Sequence, residues 1–360
     1  DPYKYCDTLR VEKELYTTAH RAVARKIAAE TFVLLKNEDH LLPLERKGKI
    51  ALIGPMADAR NNMCGMWRMT CTPSRHGTLF EGIRSAAGDK AEILYARGSN
   101  IYHDAELEKG GAGIRPLERG NELQLLDEAL HTAARADVIV AALGECAEMS
   151  GESASRTELG VPDAQQDLLK ALVKTGKPVV LLLFTGRPLV LNWEDANVHS
   201  ILNVWFGGSE TGDAIADVLF GKVTPGGKLT TTFPRSVGQL PLYYNHLNTG
   251  RPDPDSHSFN RYSSNYLDMS NEPLYPFGYG LSYTNFSYGN LQLSSDVLSK
   301  NGELTVSVTV TNDGDFDGYE IVQMYLHDIY AEISRPVKEL KGFERIFLKK
   351  GESREVKFVI

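Results

Sequence analysis

The stretch DVIVAALGECAEMSGESASR, residues 137–156, joins a predicted buried strand to a polar loop. Residues 137–143 form a nearly continuous apolar run, which is typical of a strand covered on both faces in a parallel sheet. Residues 162–175 have the pattern of an amphipathic helix. The loop between them carries Glu145, Glu148, Glu152 and Arg156. Strand-to-helix loops bind ligands in open α/β sheets, so we expect either a carboxylic acid placed for proton transfer or a solvated acidic loop.

Helical and strand-like segments alternate on both sides of this stretch. Helical patterns cover residues 17–36, 79–87, 122–134, 165–173 and 212–220, and strand patterns cover residues 49–54, 91–95, 178–184 and 200–205. Alternation of this kind predicts the α/β class, with a mainly parallel sheet and helices on both of its faces.

The periodicity is lost between residues 240 and 283, where proline, asparagine, serine and tyrosine are frequent. We expect this connector to pack over the first domain, because its aromatic side chains need burial. Short alternating runs follow at residues 304–311, 321–327 and 354–360, with a turn at 312–315. They predict an antiparallel β-sandwich of the immunoglobulin or fibronectin type, and we expect its last strands to be missing.

Composition excludes several classes of function. The chain has 360 residues, a net charge of −8 and no lysine- or arginine-rich block, which argues against nucleic-acid and anionic membrane partners. No nucleotide-binding glycine motif, serine-hydrolase elbow or paired histidine motif is present, so we predict no cofactor and no metal. Cys64 and Cys71 could form a disulfide or remain two free thiols. Because the chain opens at Asp1 without an initiator methionine, we expect a piece of a longer polypeptide.

Carboxylates beside aromatic surface remain as the candidate chemistry. Sugars stack their C–H faces on aromatic rings and accept hydrogen bonds from polar side chains. Trp67, in a loop between residues 61 and 76, could provide such a platform, or it could be a core anchor for its own loop. The sequence leaves both interpretations open.

Several motifs make the chain resemble the carboxyl-terminal half of glycoside hydrolase family 3, the bacterial β-glucosidase type. In chain order they are AAETFVLLKN (28–37), LLPL (41–44), IGP (53–55), GKPVV (176–180), GRPL (186–189), IADVLFG (215–221), PGGKL (225–229), PFGYGLSY (276–283) and RPVKELKGF (335–343). They occur in the family's order over nearly the whole chain.

The resemblance implies an amino-terminal (β/α)8 barrel, an α/β sandwich and a fibronectin type III-like domain. It divides this chain into a linker from the absent barrel (1–16), the α/β sandwich (17–239), the connector (240–284) and an incomplete fibronectin type III-like domain (285–360). The family is retaining: a barrel aspartate attacks the anomeric carbon while a glutamate of the sandwich protonates the leaving oxygen. The chain alone is therefore expected to be inactive.

The resemblance also implies roles for the loop residues. Glu152, just before a small-residue–Ser–Arg run, matches the general acid/base, and Glu148 is the second candidate. Glu145 is expected to anchor the loop. Trp67 matches a stacking platform for the leaving-group sugar, and Arg156 would hold a sugar hydroxyl or pair with a loop carboxylate.

Two functions follow from these matches. The first is an exo-acting β-glycosidase, most simply a β-glucosidase, that acts on a β-linked oligosaccharide or glycoside together with the missing barrel. The second is a non-catalytic carbohydrate-binding or assembly module derived from the same family. The resemblance implies a periplasmic or extracellular location.

Overall fold

The computed structural model describes residues 4–68, 71–109, 118–252 and 260–360. The helices are α1 (Val11–Glu14), α2 (Thr18–Thr31), α3 (Leu79–Ala87), α4 (Ala105–Lys109), α5 (Glu122–Ala134), α6 (Asp163–Val173), α7 (Asn192–Asn197) and α8 (Thr211–Leu219). The strands are β1 (Val33–Asn37), β2 (Lys49–Ile53), β3 (Glu92–Ala96), β4 (Val138–Gly144), β5 (Val179–Phe184), β6 (Ser200–Asn203), β7 (Phe286–Leu293), β8 (Thr305–Asn312), β9 (Gly318–Leu326), β10 (Glu339–Leu348) and β11 (Ser353–Val359). Residues 1–3 of the linker, residues 69–70 and 110–117 of the α/β sandwich and residues 253–259 of the connector lie outside the described residues.

The first six strands form one sheet in the order β1-β6-β5-β4-β2-β3. Strands β2 to β6 are parallel to one another. The edge strand β1 pairs with β6 in the antiparallel direction. The mainly parallel sheet predicted from the alternating pattern is confirmed.

Side chains of the central strand β4 point alternately to two apolar layers. Val140 and Ala142 pack with residues of α2, α3 and α8, whereas Ile139, Ala141 and Leu143 pack with residues of α5 and α6. All five side chains are fully buried, so a strand covered on both faces explains the continuous apolar run. Helices on both faces of the sheet are also confirmed.

One helix bound is wrong. The expected helix over residues 17–36 ends at Thr31, and the following residues form β1, whose Leu34 pairs with Leu202 of β6. Phe32 and Leu35 fit a helical apolar spacing but also the fully buried strand that they join, and tertiary packing decides between the two. In contrast, α3 has its predicted bounds, since Thr78 and Glu81 close a capping box at its start.

The carboxyl-terminal part forms two antiparallel sheets, one with the order β11-β8-β7 and one that pairs β10 with β9. A β-sandwich is therefore confirmed, although the sequence pattern did not predict β7 and β10. The turn at residues 312–315 leads from β8 in one sheet to β9 in the other rather than closing a hairpin. The end of the connector lies against the first domain, where Tyr275 and Tyr283 are buried and the Tyr283 hydroxyl donates to the Val218 carbonyl at 2.9 Å.

The strand order places a reversal of direction beside β4. From β2 the chain crosses through α3 to β3 at one edge, and from β4 it crosses through α6 to β5 toward the opposite edge. The carboxyl ends of β2 and β4 therefore flank a topological switch point, where doubly wound sheets bind their ligands. The loop with Trp67 follows β2 and the loop with the three glutamates follows β4. No helix in the described ranges has the length and apolar character needed to cross a membrane.

Candidate active site

The acidic loop, defined here as residues 145–156, leaves β4 through a fixed glycine. Gly144 has a φ of +128°, and a Cβ there would lie 2.0 Å from the carbonyl oxygen of Phe184. The buried Gln165 side chain accepts from the Gly144 amide at 2.8 Å and donates to its carbonyl at 3.0 Å. The direction in which the loop leaves the sheet is thus set by a residue without a side chain and by one amide from α6.

Glu145 is completely buried at the inner end of the acidic loop. Its Oε1 accepts from Arg156 Nη1 at 2.9 Å and lies 3.0 Å from Arg187 Nε. Its Oε2 accepts from the Thr185 hydroxyl at 2.9 Å and from the Gly186 amide at 3.0 Å. A buried carboxylate with this many partners is a structural charge, which agrees with the expected anchoring role.

Arg156 is committed to the same anchor. Its side chain is 13% exposed, and its Nη2 donates to the Gly160 carbonyl at 3.1 Å. Of the two roles expected for this arginine, the structure places it in the pairing with a loop carboxylate. Its contact with a sugar hydroxyl stays a prediction.

Residues outside the acidic loop hold its middle part. The Asn62 side chain, from the loop after β2, accepts from the Ala147 amide at 2.9 Å. Arg187, from the turn after β5, donates through Nη2 to the Met149 and Ala154 carbonyls, the second at 2.7 Å. The acidic loop is therefore fixed by the loops that follow both neighbouring strands.

Glu152 lies at the exposed outer tip of this loop. Gly151 and Ser153 on either side of it have φ values of +108° and +60°, which turn the chain sharply at the tip. Within the described residues its carboxylate has no hydrogen bond or ion pair. Among the described residues, Glu152 thus presents an unpaired carboxyl group on a loop that is held by hydrogen bonds from Asn62 and Arg187.

Glu148 differs from both of these glutamates. It is half-buried, and its Oε1 is buried without a hydrogen-bond partner among the described residues. Burial, and to a lesser degree the Glu148 charge, raises the pKa of the neighbouring Cys146 thiol to about 12. Glu148 therefore points toward the thiol side of the loop and is less accessible than Glu152.

The loop after β2 brings Trp67 to the acidic tip. Cys64 and Cys71 form a disulfide, and Trp67 lies between them in the sequence. The tryptophan is 78% exposed. A Cβ on Gly151 would meet Met66 Cγ at 2.9 Å and Trp67 Nε1 at 3.7 Å, so the two loops are in contact. The interpretation of Trp67 as a core anchor is wrong. Of the two alternatives for Cys64 and Cys71, a disulfide or two free thiols, the structure has the disulfide.

The arrangement combines a free carboxyl group with an open indole ring at a topological switch point. Such a pair can transfer a proton to a ligand whose flat apolar face lies on the ring. Sequence reasoning missed Asn62, Gln165 and Arg187. The only signal for Arg187 was its place in the motif GRPL after a buried strand.

Two family models match the chain. The glycosyl hydrolase family 3 C-terminal domain matches residues 32–283, and the fibronectin type III-like domain matches residues 320–360.

The chain is 47% identical to a periplasmic beta-glucosidase of Salmonella typhimurium, over 100% of this chain and 48% of that protein. It is 38% identical to a beta-xylosidase of Formosa agariphila, over 99% of this chain and 46% of that protein. A beta-glucosidase from Listeria innocua, solved in complex with isofagomine, superposes with a TM-score of 0.87 at 37% identity and covers 100% of this chain and 47% of its own. The chain therefore spans about half the length of the relatives that it matches.

Proposed function

The chain belongs to glycosyl hydrolase family 3, and from this premise we propose that it forms the acid/base half of a retaining, exo-acting β-glucosidase. In this proposal Glu152 is the general acid/base, and a (β/α)8 barrel provides the aspartate nucleophile. The chain without a barrel would then hold half of the catalytic pair and no activity of its own.

The observation that carries the proposal is the exposed carboxyl group of Glu152, which has no partner among the described residues, at the tip of a loop whose other glutamates are buried or half-buried. A retaining mechanism needs its two carboxyl groups about 5–5.5 Å apart, on facing surfaces. An exposed tip can approach a carboxylate of another domain, whereas Glu145 is closed off behind two arginines.

The proposed reaction has two steps. Glu152 first gives its proton to the departing glycosidic oxygen while the barrel aspartate bonds to the anomeric carbon. Glu152, now ionised, then takes a proton from water, and that water displaces the aspartate with overall retention of configuration. Trp67 would support the leaving-group sugar beside Glu152, since a sugar stacks its C–H face on an indole ring.

Beta-linked glucosides are the proposed substrate class, because a beta-glucosidase of Listeria innocua was solved with laminaribiose and several relatives carry the same name. A periplasmic location is proposed on the same ground, from the Salmonella typhimurium relative.

The test is Glu152→Gln in the complete polypeptide to which this chain belongs. We expect kcat/KM for cellobiose to fall by roughly 10²–10⁴-fold, the usual contribution of general acid catalysis. Formation of the glycosyl-enzyme from 2,4-dinitrophenyl β-glucoside should change far less, because that leaving group departs without a proton. Azide should then speed turnover and give β-glucosyl azide, since a small anion needs no general base.

The matched control is Glu148→Gln on the same loop. It should leave the ratio between the two substrates unchanged. Should Glu148→Gln alone produce the leaving-group dependence, or Glu152→Gln slow both substrates equally, the assignment of the acid is wrong.

A further inference from the structure

Arg187 contacts the acidic loop at three places with one side chain. Its Nη2 donates to the carbonyls of Met149 and Ala154, and its Nε lies 3.0 Å from Glu145 Oε1 at an ion-pair distance without hydrogen-bond geometry. The two carbonyls stand three positions before Glu152 and two positions after it. The tip with the free carboxyl group is therefore held on both sides by one guanidinium.

The backbone of Arg187 is itself fixed. The Thr185 Oγ1 accepts from the Arg187 amide at 3.1 Å and the Thr185 hydroxyl lies 2.7 Å from the Arg187 carbonyl oxygen, while the next apolar side chain, Leu189, is fully buried. The turn also touches the tip directly, because a Cβ on Gly186 would lie 2.4 Å from Ser150 Oγ. The Arg187 side chain thus fixes the acidic loop, which follows β4, relative to the end of β5.

We propose that Arg187 is a positioning residue for acid catalysis, which sets where the Glu152 carboxyl group meets the glycosidic oxygen. This inference rests on the proposed function of Glu152. It gives Arg187 a role in the reaction that its place in the motif GRPL does not reveal. A planar guanidinium donates in fixed directions to both carbonyls and keeps a charge beside Glu145. A lysine keeps a charge but has a single nitrogen, so it cannot donate to both carbonyls and also lie beside Glu145 as Nη2 and Nε of the arginine do.

The experiment measures kcat/KM of Arg187→Lys and Arg187→Met in the complete polypeptide, for cellobiose and for 2,4-dinitrophenyl β-glucoside. Misplacing a catalytic group by about 1 Å costs on the order of 10²-fold, so we expect a loss of about 10–100-fold for cellobiose in Arg187→Lys. The dinitrophenyl substrate should change less than about threefold, because it needs no acid. The ratio of the two values does not depend on the folded fraction of the enzyme, so a purely structural defect cannot produce the difference.

Arg25→Met is the matched control. Arg25 is also a partly buried arginine, 31% exposed, and it joins α2 to α8 through Asp217 and Asp213. Its loss should lower the thermal midpoint of unfolding without altering the substrate ratio. The inference is overturned if both Arg187 variants slow the two substrates by one common factor, as Arg25→Met would.

Glu152→Gln, run beside these variants, separates the two levels of the argument. If it shows the leaving-group dependence and the Arg187 variants do not, Arg187 has only a structural role and the function of Glu152 stands. If Glu152→Gln itself lacks the dependence, the assignment of the acid fails, and the role of Arg187 in positioning it fails too.

Discussion

Glu145 lies at the inner end of the acidic loop and Glu152, seven positions later, lies at its outer tip, and the two have opposite surroundings. Glu145 is completely buried and meets donors from Arg156, Arg187, Thr185 and Gly186. Glu152 is exposed on a sharp turn, and its carboxylate has no partner among the described residues. The charge of Glu145 is therefore engaged in structural contacts, whereas the carboxyl group of Glu152 is exposed to solvent at the tip.

Under the proposed function, the number of donors around a carboxylate separates a structural glutamate from a catalytic one better than its distance from the strand. A buried charge is tolerated when its oxygens are all engaged, and removal of such a partner leaves other charges uncompensated. A general acid needs the reverse arrangement, with a free oxygen on a backbone that cannot move. Each of the following experiments sharpens or breaks this contrast.

The largest effect is expected for Glu145→Gln. The neutral amide would leave Arg156 and Arg187 without their shared carboxylate, and the loss of one partner of a buried ion pair typically costs about 3–5 kcal/mol. Glu152→Gln, in contrast, should change the free energy of unfolding by less than about 0.5 kcal/mol. Denaturant unfolding of both variants measures this, and equal losses of stability would refute the contrast between the two ends.

The sequence predicted most of the first domain, for physical reasons that individual elements show. The nearly continuous apolar run at residues 137–143 indicated a strand covered on both faces, and α3 begins at a capping box formed by Thr78 and Glu81. Residues 32–36 were assigned to the wrong element because a short buried strand and the end of an amphipathic helix share one apolar pattern. In the sandwich, β7 was missed because most of its side chains are exposed, so no apolar face marks it.

The candidate site was predictable only where its contacts are local. Glu145 directly follows Gly144, so its anchoring role could be proposed from its place at the end of the strand. Arg187 lies more than thirty positions from the loop that it holds, and only the pairing of β4 with β5 brings the two together. The switch point between β2 and β4 likewise depends on the order of the strands, which no local pattern contains.

Glu194 extends the comparison to a buried glutamate whose carboxyl group has no ion pair and no hydrogen bond to another side chain among the described residues. It lies in α7 and is 3% exposed; burial raises its pKa to about 7, although its own backbone amide and the charge of Lys170 act in the opposite direction. The ordinary value is 4.5, so between pH 4.5 and 7 the folded chain keeps a proton that the unfolded chain has lost. Stability contributed by this group is therefore present below pH 4.5 and is lost as the pH rises toward 7.

Glu194→Gln should remove this pH dependence, because an amide does not ionise. A shift of this size corresponds to about 3 kcal/mol, since each pKa unit is worth about 1.4 kcal/mol. The variant should gain up to that amount over the parent chain at pH 8, and little at pH 4. Urea unfolding at the two pH values measures the gain. A change of the same size at both pH values would contradict the raised pKa, because it would mean that the Glu194 carboxyl group binds its proton equally well in the folded and unfolded chains.

The smallest effect on stability is expected for Trp67, whose side chain is exposed like that of Glu152. Because the ring is 78% exposed, Trp67→Ala should change the free energy of unfolding by less than about 0.5 kcal/mol. Trp205→Ala is the partly buried counterpart: that ring packs edge-on against the buried Phe233 with centroids 6.1 Å apart, and its loss should destabilise the fold.

In the complete polypeptide, the same Trp67→Ala change should raise KM for cellobiose several-fold, because ring stacking contributes about 1 kcal/mol. KM for methyl β-glucoside, whose leaving group is too small to cover the ring, should stay the same. Trp67 lies beside the tip of the acidic loop, since a Cβ on Gly151 would lie 2.9 Å from Met66 Cγ and 3.7 Å from Trp67 Nε1. If Trp67→Ala raises KM equally for both substrates, the ring acts on the loop rather than on the leaving sugar. Of the two exposed groups, only the Glu152 carboxyl group would then act on the substrate.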